Sequence, residues 1–187
     1  VNNIEDIVIC NGEDFSEIVL SSNVAGTSYS WSNSNSGIGL PETGTGNIPA
    51  FSAENNTEAA ITATITVTPT ANECEGNPFS FDVIVNPNAT VDAGPDQTIC
   101  SSGVATMAAV LGGGASEGTW TTSGSGTFTN NNINSDYTPS DSDILNGSVI
   151  LTYTSNDPEG PCGTASDTME LFLNEEALIT TQPENLG

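Results

Sequence analysis

The sequence predicts an all-β chain built as two tandem sandwich domains, and three observations predict it. Apolar and polar residues alternate with a period of two: in ITATITVT, Ile61, Ala63, Ile65 and Val67 share one side with threonines between them, and VILTYT and FSFDVIV read the same way. No stretch offers a long apolar period of 3.6 residues, so no major helix is expected. The spacing of the cysteines and tryptophans occurs twice along the chain, which marks an internal duplication.

The duplication sets the domain plan. Cys10 lies 21 positions before Trp31, and Cys100 lies 20 before Trp120. Trp31 lies 43 before Cys74, and Trp120 lies 42 before Cys162. From Cys74 to Asn86 and from Cys162 to Asn174 the distance is 12 in both cases. Flanking residues agree, with IVICNGE against QTICSSG and FDVIVNP against MELFLNE. The expected domains are 1–88 and 89–176, with 177–187 a linker or the start of a following repeat. The boundary falls in NPNATVDAGPDQ, where two prolines and a glycine interrupt the strand pattern. About 90 residues suffice for one two-sheet core per domain.

Within each repeat the expected elements follow one order. A short strand ends at the first cysteine, and a second apolar strand follows (SEIVL or VATMAAVL). The tryptophan strand comes next (TSYSWS or EGTWTT), then a middle rich in Gly, Ser and Asn, then a long alternating strand. The second cysteine sits in a turn (NECEGNP or PEGPCG), and a last strand closes the domain. Six or seven short strands with turn signals between them make a β-sandwich. Trp31 and Trp120 are placed at the centre of the two cores, because a small sandwich needs a large aromatic there. In SDSD, Ser140 followed three positions later by Asp143 is a capping box for one short helical turn.

Composition excludes several function classes. The 187 residues include 24 Asp plus Glu and no Lys, Arg or His, a formal net charge of −24. There is no imidazole for general-base chemistry, no amine for a Schiff base and no guanidinium for an anion. Nothing can neutralise nucleic-acid phosphates, and an anionic membrane surface would repel the chain. No segment is long and apolar enough to span a bilayer. Carboxylates, hydroxyls and thiols remain. A paired-carboxylate glycosidase needs a cleft that two small sandwiches do not provide, so no enzyme is expected. Starting without Met and without a signal peptide, the chain reads as a mature piece of a longer secreted protein.

The four cysteines permit three pairings. The duplication favours Cys10–Cys74 and Cys100–Cys162, one bridge per domain, each worth about 4 kcal/mol in the chain-entropy model. The competing states are four reduced, buried thiols or a shared zinc site, the latter without a C-x-x-C or a His to support it. Acidic residues gather in turns. Asp92 and Asp96 at the domain junction, or Asp157 and Glu159 in a later loop, are candidate Ca²⁺ ligands, the competing reading being a solvated acidic surface. No cofactor is required.

VDAGPDQTIC, TWTTSGSGTF, YTPSDSDILNGSVILTYTSNDPEGPCG and DTMELFL resemble the tandem PKD-like and Ig-like repeats of Bacteroidetes cell-surface adhesins. GNIPAFSAENNTEAAITATITVTPTANECEGNPFSFDVIVNP looks like the PKD-like variety. Such repeats build long adhesins, including gliding-motility adhesins exported by the type 9 secretion route. The resemblance implies Ig-like sandwiches at the cell surface with a structural or adhesive role and no catalytic residues. Their partners are neighbouring repeats or like subunits and surface glycans. Asp167-Thr168-Met169 matches the O-glycan acceptor pattern of these bacteria, with Thr168 the acceptor.

Two other functions compete. In a strand-exchanging homopolymeric fibre, VNNIEDIVIC would be the donor strand. In a secreted enzyme the chain would be a spacer or a carbohydrate-binding module, with Phe51, Phe128 or Tyr137 as stacking platforms. Two coplanar exposed aromatics favour the sugar reading, and aromatics inside the sandwich leave it without support.

Overall fold

The threonine-rich alternation becomes the spine of the first repeat. The computed structural model describes residues 4–158 and 160–177. Its first repeat holds β1 (Ile7–Cys10), β2 (Asp14–Phe15), β3 (Ser28–Asn33), β4 (Thr43–Thr45), β5 (Phe51–Ser52), β6 (Ile61–Ala71), β7 (Cys74–Glu75) and β8 (Phe79–Asn86). The main sheet runs β1-β8-β6-β3-β4, with β7 added to β6, and β2 pairs with β5 in a small second sheet. On β6, Ala63, Ile65 and Val67 are buried while Thr62 and Thr64 are exposed, the period-two pattern expected of a half-buried strand. They pack with Trp31, Phe81, Val83 and Val85 in the first core.

The middle segment contributes more to that core than its polar composition suggests. Ile38, Leu40 and Ile48 are fully buried. A short 3₁₀ turn at Ser36–Ile38 carries the first of them, and the Asn35 side chain caps it by accepting from the Gly37 N–H at 3.1 Å. Asn33 Nδ2 donates to the Leu40 carbonyl at 2.8 Å, which holds the returning chain. β4 then crosses the indole of Trp31: a Cβ on Gly44 would stand 2.0 Å from Trp31 Cζ2. Gly44→Ala is therefore expected to destabilise the first domain by about 1–3 kcal/mol through overpacking. Urea unfolding followed by tryptophan fluorescence measures it, and an unchanged midpoint would show that the ring yields freely.

The second repeat holds β9 (Thr90–Asp92), β10 (Gln97–Cys100), β11 (Ala105–Ala108), β12 (Val110–Gly112), β13 (Gly118–Thr122), β14 (Thr127–Phe128), β15 (Asn134–Thr138), α1 (Asp141–Asn146), β16 (Ser148–Ser155) and β17 (Ser166–Asn174). Its sheets run β10-β17-β16-β13 and β11-β15-β14, and β12 pairs with β9. The expected capping box is present: Ser140 Oγ accepts from the Asp143 N–H at 3.2 Å, and Asp143 Oδ2 accepts from the Ser140 N–H at 2.9 Å. Gly147 closes the helix in the left-handed region at φ 80°.

The two repeats share register as well as order. β1 lies parallel to β8 with Cys10 opposite Asn86, and β10 lies parallel to β17 with Cys100 opposite Asn174. Trp31 on β3 faces Val67 of β6, and Trp120 on β13 faces Tyr153 of β16. Both tryptophans are buried as expected, Trp120 with its ring centroid 5.0 Å from that of Tyr153.

Two compact units result, and they are not contiguous blocks. The first takes in Val1–Ala89 together with Gly112–Ala115 and Asp157–Thr164 from the second repeat. The second takes in Thr90–Leu111, Ser116–Asn156 and Ala165–Gly187. The expected terminal linker lies outside the described residues from 178 onward. The N-terminal segment expected as a donor strand has its β1 paired with β8 of its own repeat.

Candidate functional site

The cysteines depart from the expected pairing. Cys10 bonds to Cys162, with an S–S distance of 2.04 Å and a Cα–Cα distance of 5.6 Å, while Cys74 and Cys100 carry free, exposed thiols. Neither Cys10–Cys74 nor Cys100–Cys162 forms, and strand register gives the reason. Cys10 lies beside Asn86, Val85 lies beside Ile61 at the start of β6, and Cys74 lies beside Ala71 at its end. The ten steps from Ile61 to Ala71 span about 33 Å, and a disulfide joins Cα atoms less than about 7 Å apart. In the second repeat Cys100 lies beside Asn174, at the far end of β17 from Ser166. The strand's eight steps span about 26 Å, more than the four residues from Cys162 to Ser166 can fold back across. Each repeat therefore carries its cysteines at opposite ends of its closing strand. The observed bond joins the first cysteine of one repeat to the second cysteine of the next.

Glycines and asparagines seat this bond within the first unit. The Asn11 N–H donates to the Asn86 carbonyl at 2.9 Å, and Asn88 Nδ2 donates to the Asn11 carbonyl at 3.0 Å. The Gly113 N–H donates to Glu58 Oε2 at 2.5 Å. Gly113 has φ +63°, and a Cβ there would lie 1.7 Å from the Asn88 carbonyl oxygen, so only glycine fits the approach. Sequence reasoning read PEGPCG as a turn and assigned no role to Gly112, Gly113 and Gly114. Their packing role was signalled only by the density of glycine.

The carboxylate candidates are engaged by backbone. Asp92 Oδ1 accepts from the Gly94 N–H at 2.8 Å, and Asp96 Oδ1 accepts from the Glu170 N–H at 2.7 Å. Asp157 is exposed, and Glu159 lies outside the described residues. Among the described residues no three Asp, Glu or Cys side chains are grouped to hold a metal ion. Thr168 is exposed on β17 opposite Thr152. Its neighbour Asp167 is fixed by the Ala93 N–H at 2.9 Å, and the N–H groups of Ala93 and Thr168 hold its carboxyl below the usual range. Asn55, in an N-glycan sequon, is buried and donates Nδ2 to the carbonyls of Ala59 and Val85, so it is a structural knot.

Sequence reasoning took Asp143 as a cap and missed a larger role. It is 1% exposed. Oδ1 accepts from the Ser125 N–H at 3.0 Å. Oδ2 accepts from Tyr137 Oη at 2.7 Å and from the N–H groups of Gly126 and Ser140, both at 2.9 Å. Burial opposes the charge, but these donors prevail and lower the carboxyl to about 2. Burial, with Asp143 beside it, raises the Tyr137 hydroxyl, which also accepts from Thr122 Oγ1 at 3.0 Å. The carboxylate ties α1 to β15 and to the loop between β13 and β14, and the Tyr137 hydroxyl extends the link to Thr122 at the end of β13. Four donors, the Ser125, Gly126 and Ser140 N–H groups and the Thr122 hydroxyl, surround this buried Asp143–Tyr137 pair and make it a structural joint.

The stacking platforms are not free either. Tyr137 is fully buried, Phe128 packs on the second core, and Phe51 stacks on Phe15 at 4.6 Å. Among the described residues the exposed large apolar side chains include one aromatic, Phe172. The sugar-binding reading thus lacks the paired exposed rings it requires. Three surface depressions of about 400 Å³ carry at most one carboxylate each.

Residues 7–89 match the model of the PKD-like domain. No curated protein matches the chain. Among solved structures it is similar to DIP-gamma IG1+IG2, at 12% identity and a TM-score of 0.51, with 94% of this chain and 97% of that chain covered. It is similar also to the insect immune protein hemolin, at 11% identity and a TM-score of 0.52, covering 92% of this chain. It spans 45% of hemolin, whose domain arrangement carries implications for homophilic adhesion. At these identities the likeness is one of fold. The chain is all-β, with tandem Ig-like and PKD-like sandwiches.

Proposed function

We propose that this chain is an extracellular structural and adhesive segment of a long bacterial surface protein, of the kind in which Bacteroidetes gliding adhesins string PKD-like and Ig-like repeats. The observation that carries the reading is the Cys10–Cys162 bond, which links equivalent repeats in series instead of closing each on itself. A disulfide of this kind persists in an oxidising compartment. The net charge of −24 keeps an extended polymer soluble and separates neighbouring strands of it. Exposed Thr168 is the glycan acceptor in this proposal. Its partners in this proposal are flanking repeats or like subunits.

Intact cells labelled with antibody against the chain, paired with a reducing denaturing gel of the shed material, test the reading. Surface label and a single polypeptide far longer than 187 residues are expected. Label that appears only after permeabilisation contradicts the location, and small subunits on the gel favour a non-covalent fibre.

A further inference from the structure

Resting on that reading, we infer that Cys74 and Cys100 are the open ends of a disulfide chain. Cys74 bonds to the cysteine at the Cys10 position of a preceding repeat, and Cys100 bonds to the cysteine at the Cys162 position of a following one. The single bond observed, Cys10–Cys162, is the template.

The first support is equivalence of position. Cys100 repeats the backbone setting of Cys10: the Ser101 N–H donates to the Asn174 carbonyl at 2.8 Å as Asn11 does to Asn86 at 2.9 Å. The Gly103 N–H returns to the Cys100 carbonyl at 2.8 Å as Glu13 returns to Cys10 at 3.1 Å. Cys74 holds the place of Cys162, 12 residues before the matching end of the closing strand. Cys10 and Cys162 are each 4% exposed within their bond, and their counterparts are exposed thiols.

The second support is a docking surface around Cys74, built by segments equivalent to those that surround Cys162. The segments of the second repeat that pack into the first unit are Gly112–Ala115 and Asp157–Thr164. Counting from Trp120 back to Trp31, the first corresponds to 23–26 of the first repeat. Counting from Cys162 back to Cys74, the second corresponds to 69–76. Those two stretches and their neighbours line a cavity of about 140 Å³ in the first repeat, where Val24, Thr27, Pro69 and Ala71 surround Cys74. Its lining is mostly apolar, and Val24 is 42% exposed. A two-residue hairpin turn presents Cys74 at this place, with Asn72 and Glu73 both in the left-handed region at φ 50° and 62°. The occupant is thus the cysteine-bearing end of a like repeat, seated as the equivalent segments are seated around Cys10–Cys162.

Each bond forms by exchange. A thiolate of one repeat attacks a small disulfide such as oxidised glutathione and releases one thiol, and the neighbour's thiolate displaces the second. Two protein thiols lose two protons and two electrons, and the small disulfide takes them up as two thiols. In a tandem chain the neighbour is held at millimolar effective concentration, so exchange is fast relative to capture by a stranger.

The test uses the purified chain at about 1 mM, matching that effective concentration, in an oxidised and reduced glutathione buffer with high salt to screen the acidic ends. Non-reducing gels and mass spectrometry of acid-protease digests read the result. A ladder of copies joined by Cys74–Cys100 links is expected. C74S and C100S alone should each remain monomeric, and an equal mixture of the two should stop at a dimer. Absence of the ladder, or single variants that dimerise as readily as the mixture, overturns the assignment. The Cys10–Cys162 peptide in the same digest separates the two claims. Its presence without a ladder defeats only the open-end assignment, and its absence defeats the array reading as well.

Discussion

Pulled from its two ends, the oxidised chain should yield little hidden length, and reduction should release about 500 Å more at roughly 3.5 Å per residue. Force entering at the N-terminus reaches Cys10, crosses the sulfur bridge to Cys162 and leaves through the last strand. The bridge spans 152 residues, so both tryptophan strands and both long alternating strands lie outside the force path. A bond confined to each repeat would instead leave the connection between repeats to extend. The bond closes a loop worth about 5 kcal/mol in the chain-entropy model, against about 4 for each of the shorter loops expected from sequence. Single-molecule extension with and without reductant measures the effect, and Cys162→Ser should behave as the reduced wild type does. Equal contour lengths in the two redox states would falsify the series arrangement.

The parts of this arrangement that the sequence made legible are those that local pattern controls. Period-two alternation placed Ala63, Ile65 and Val67 in the core, the Cys–Trp–Cys spacing revealed two repeats, and Ser140 with Asp143 announced a cap. The disulfide was not legible, because duplication gives the number of cysteines per repeat but not which ends of two sandwiches meet. That depends on the parallel pairing of β1 with β8, which puts Cys10 some 33 Å of strand away from Cys74. A partner in the same repeat and a partner in the next repeat look alike in one dimension. The buried roles of Ile38, Leu40 and Ile48 were hidden for a related reason. Isolated apolar residues in a Gly- and Asn-rich segment carry no period, and only tertiary folding of that loop shows them to be core. Asp143 was read from its spacing to Ser140, which explains one of its four accepted bonds. The Tyr137 donor comes from β15, and the Ser125 and Gly126 donors come from the loop between β13 and β14.

Asp143→Asn is expected to destabilise the second domain by about 3 kcal/mol, since it removes charge-assisted bonds from a buried hub and turns one acceptor into a donor facing N–H groups. The acid dependence follows from the same carboxylate. With its folded pKa at about 2 against an ordinary 3.8, the ionised group contributes about 2 kcal/mol. That contribution is present above about pH 4 and is lost as pH falls through 2. Asp167, whose carboxyl the Ala93 and Thr168 N–H groups also hold below the usual range, works in the same direction, and the net charge works in the opposite one. With no Lys, Arg or His among its 187 residues, no salt bridge to a side chain is lost on acidification. Protonating the other carboxylates relieves self-repulsion instead. The informative quantity is therefore the stability difference between wild type and Asp143→Asn, from urea titrations at pH 5 and pH 2. It should shrink by about 2 kcal/mol across that window. Tyr137→Phe separates the contributors. It deletes one donor to Asp143 but leaves the charge and its three backbone donors, Gly126 among them, so it should retain most of the acid dependence while orphaning the Thr122 hydroxyl donor. A wild-type minus Asp143→Asn difference that stays constant from pH 5 to pH 2 would mean that the carboxylate is not held ionised by those backbone groups, and the joint between α1, β15 and the loop after β13 would need another source of its stability.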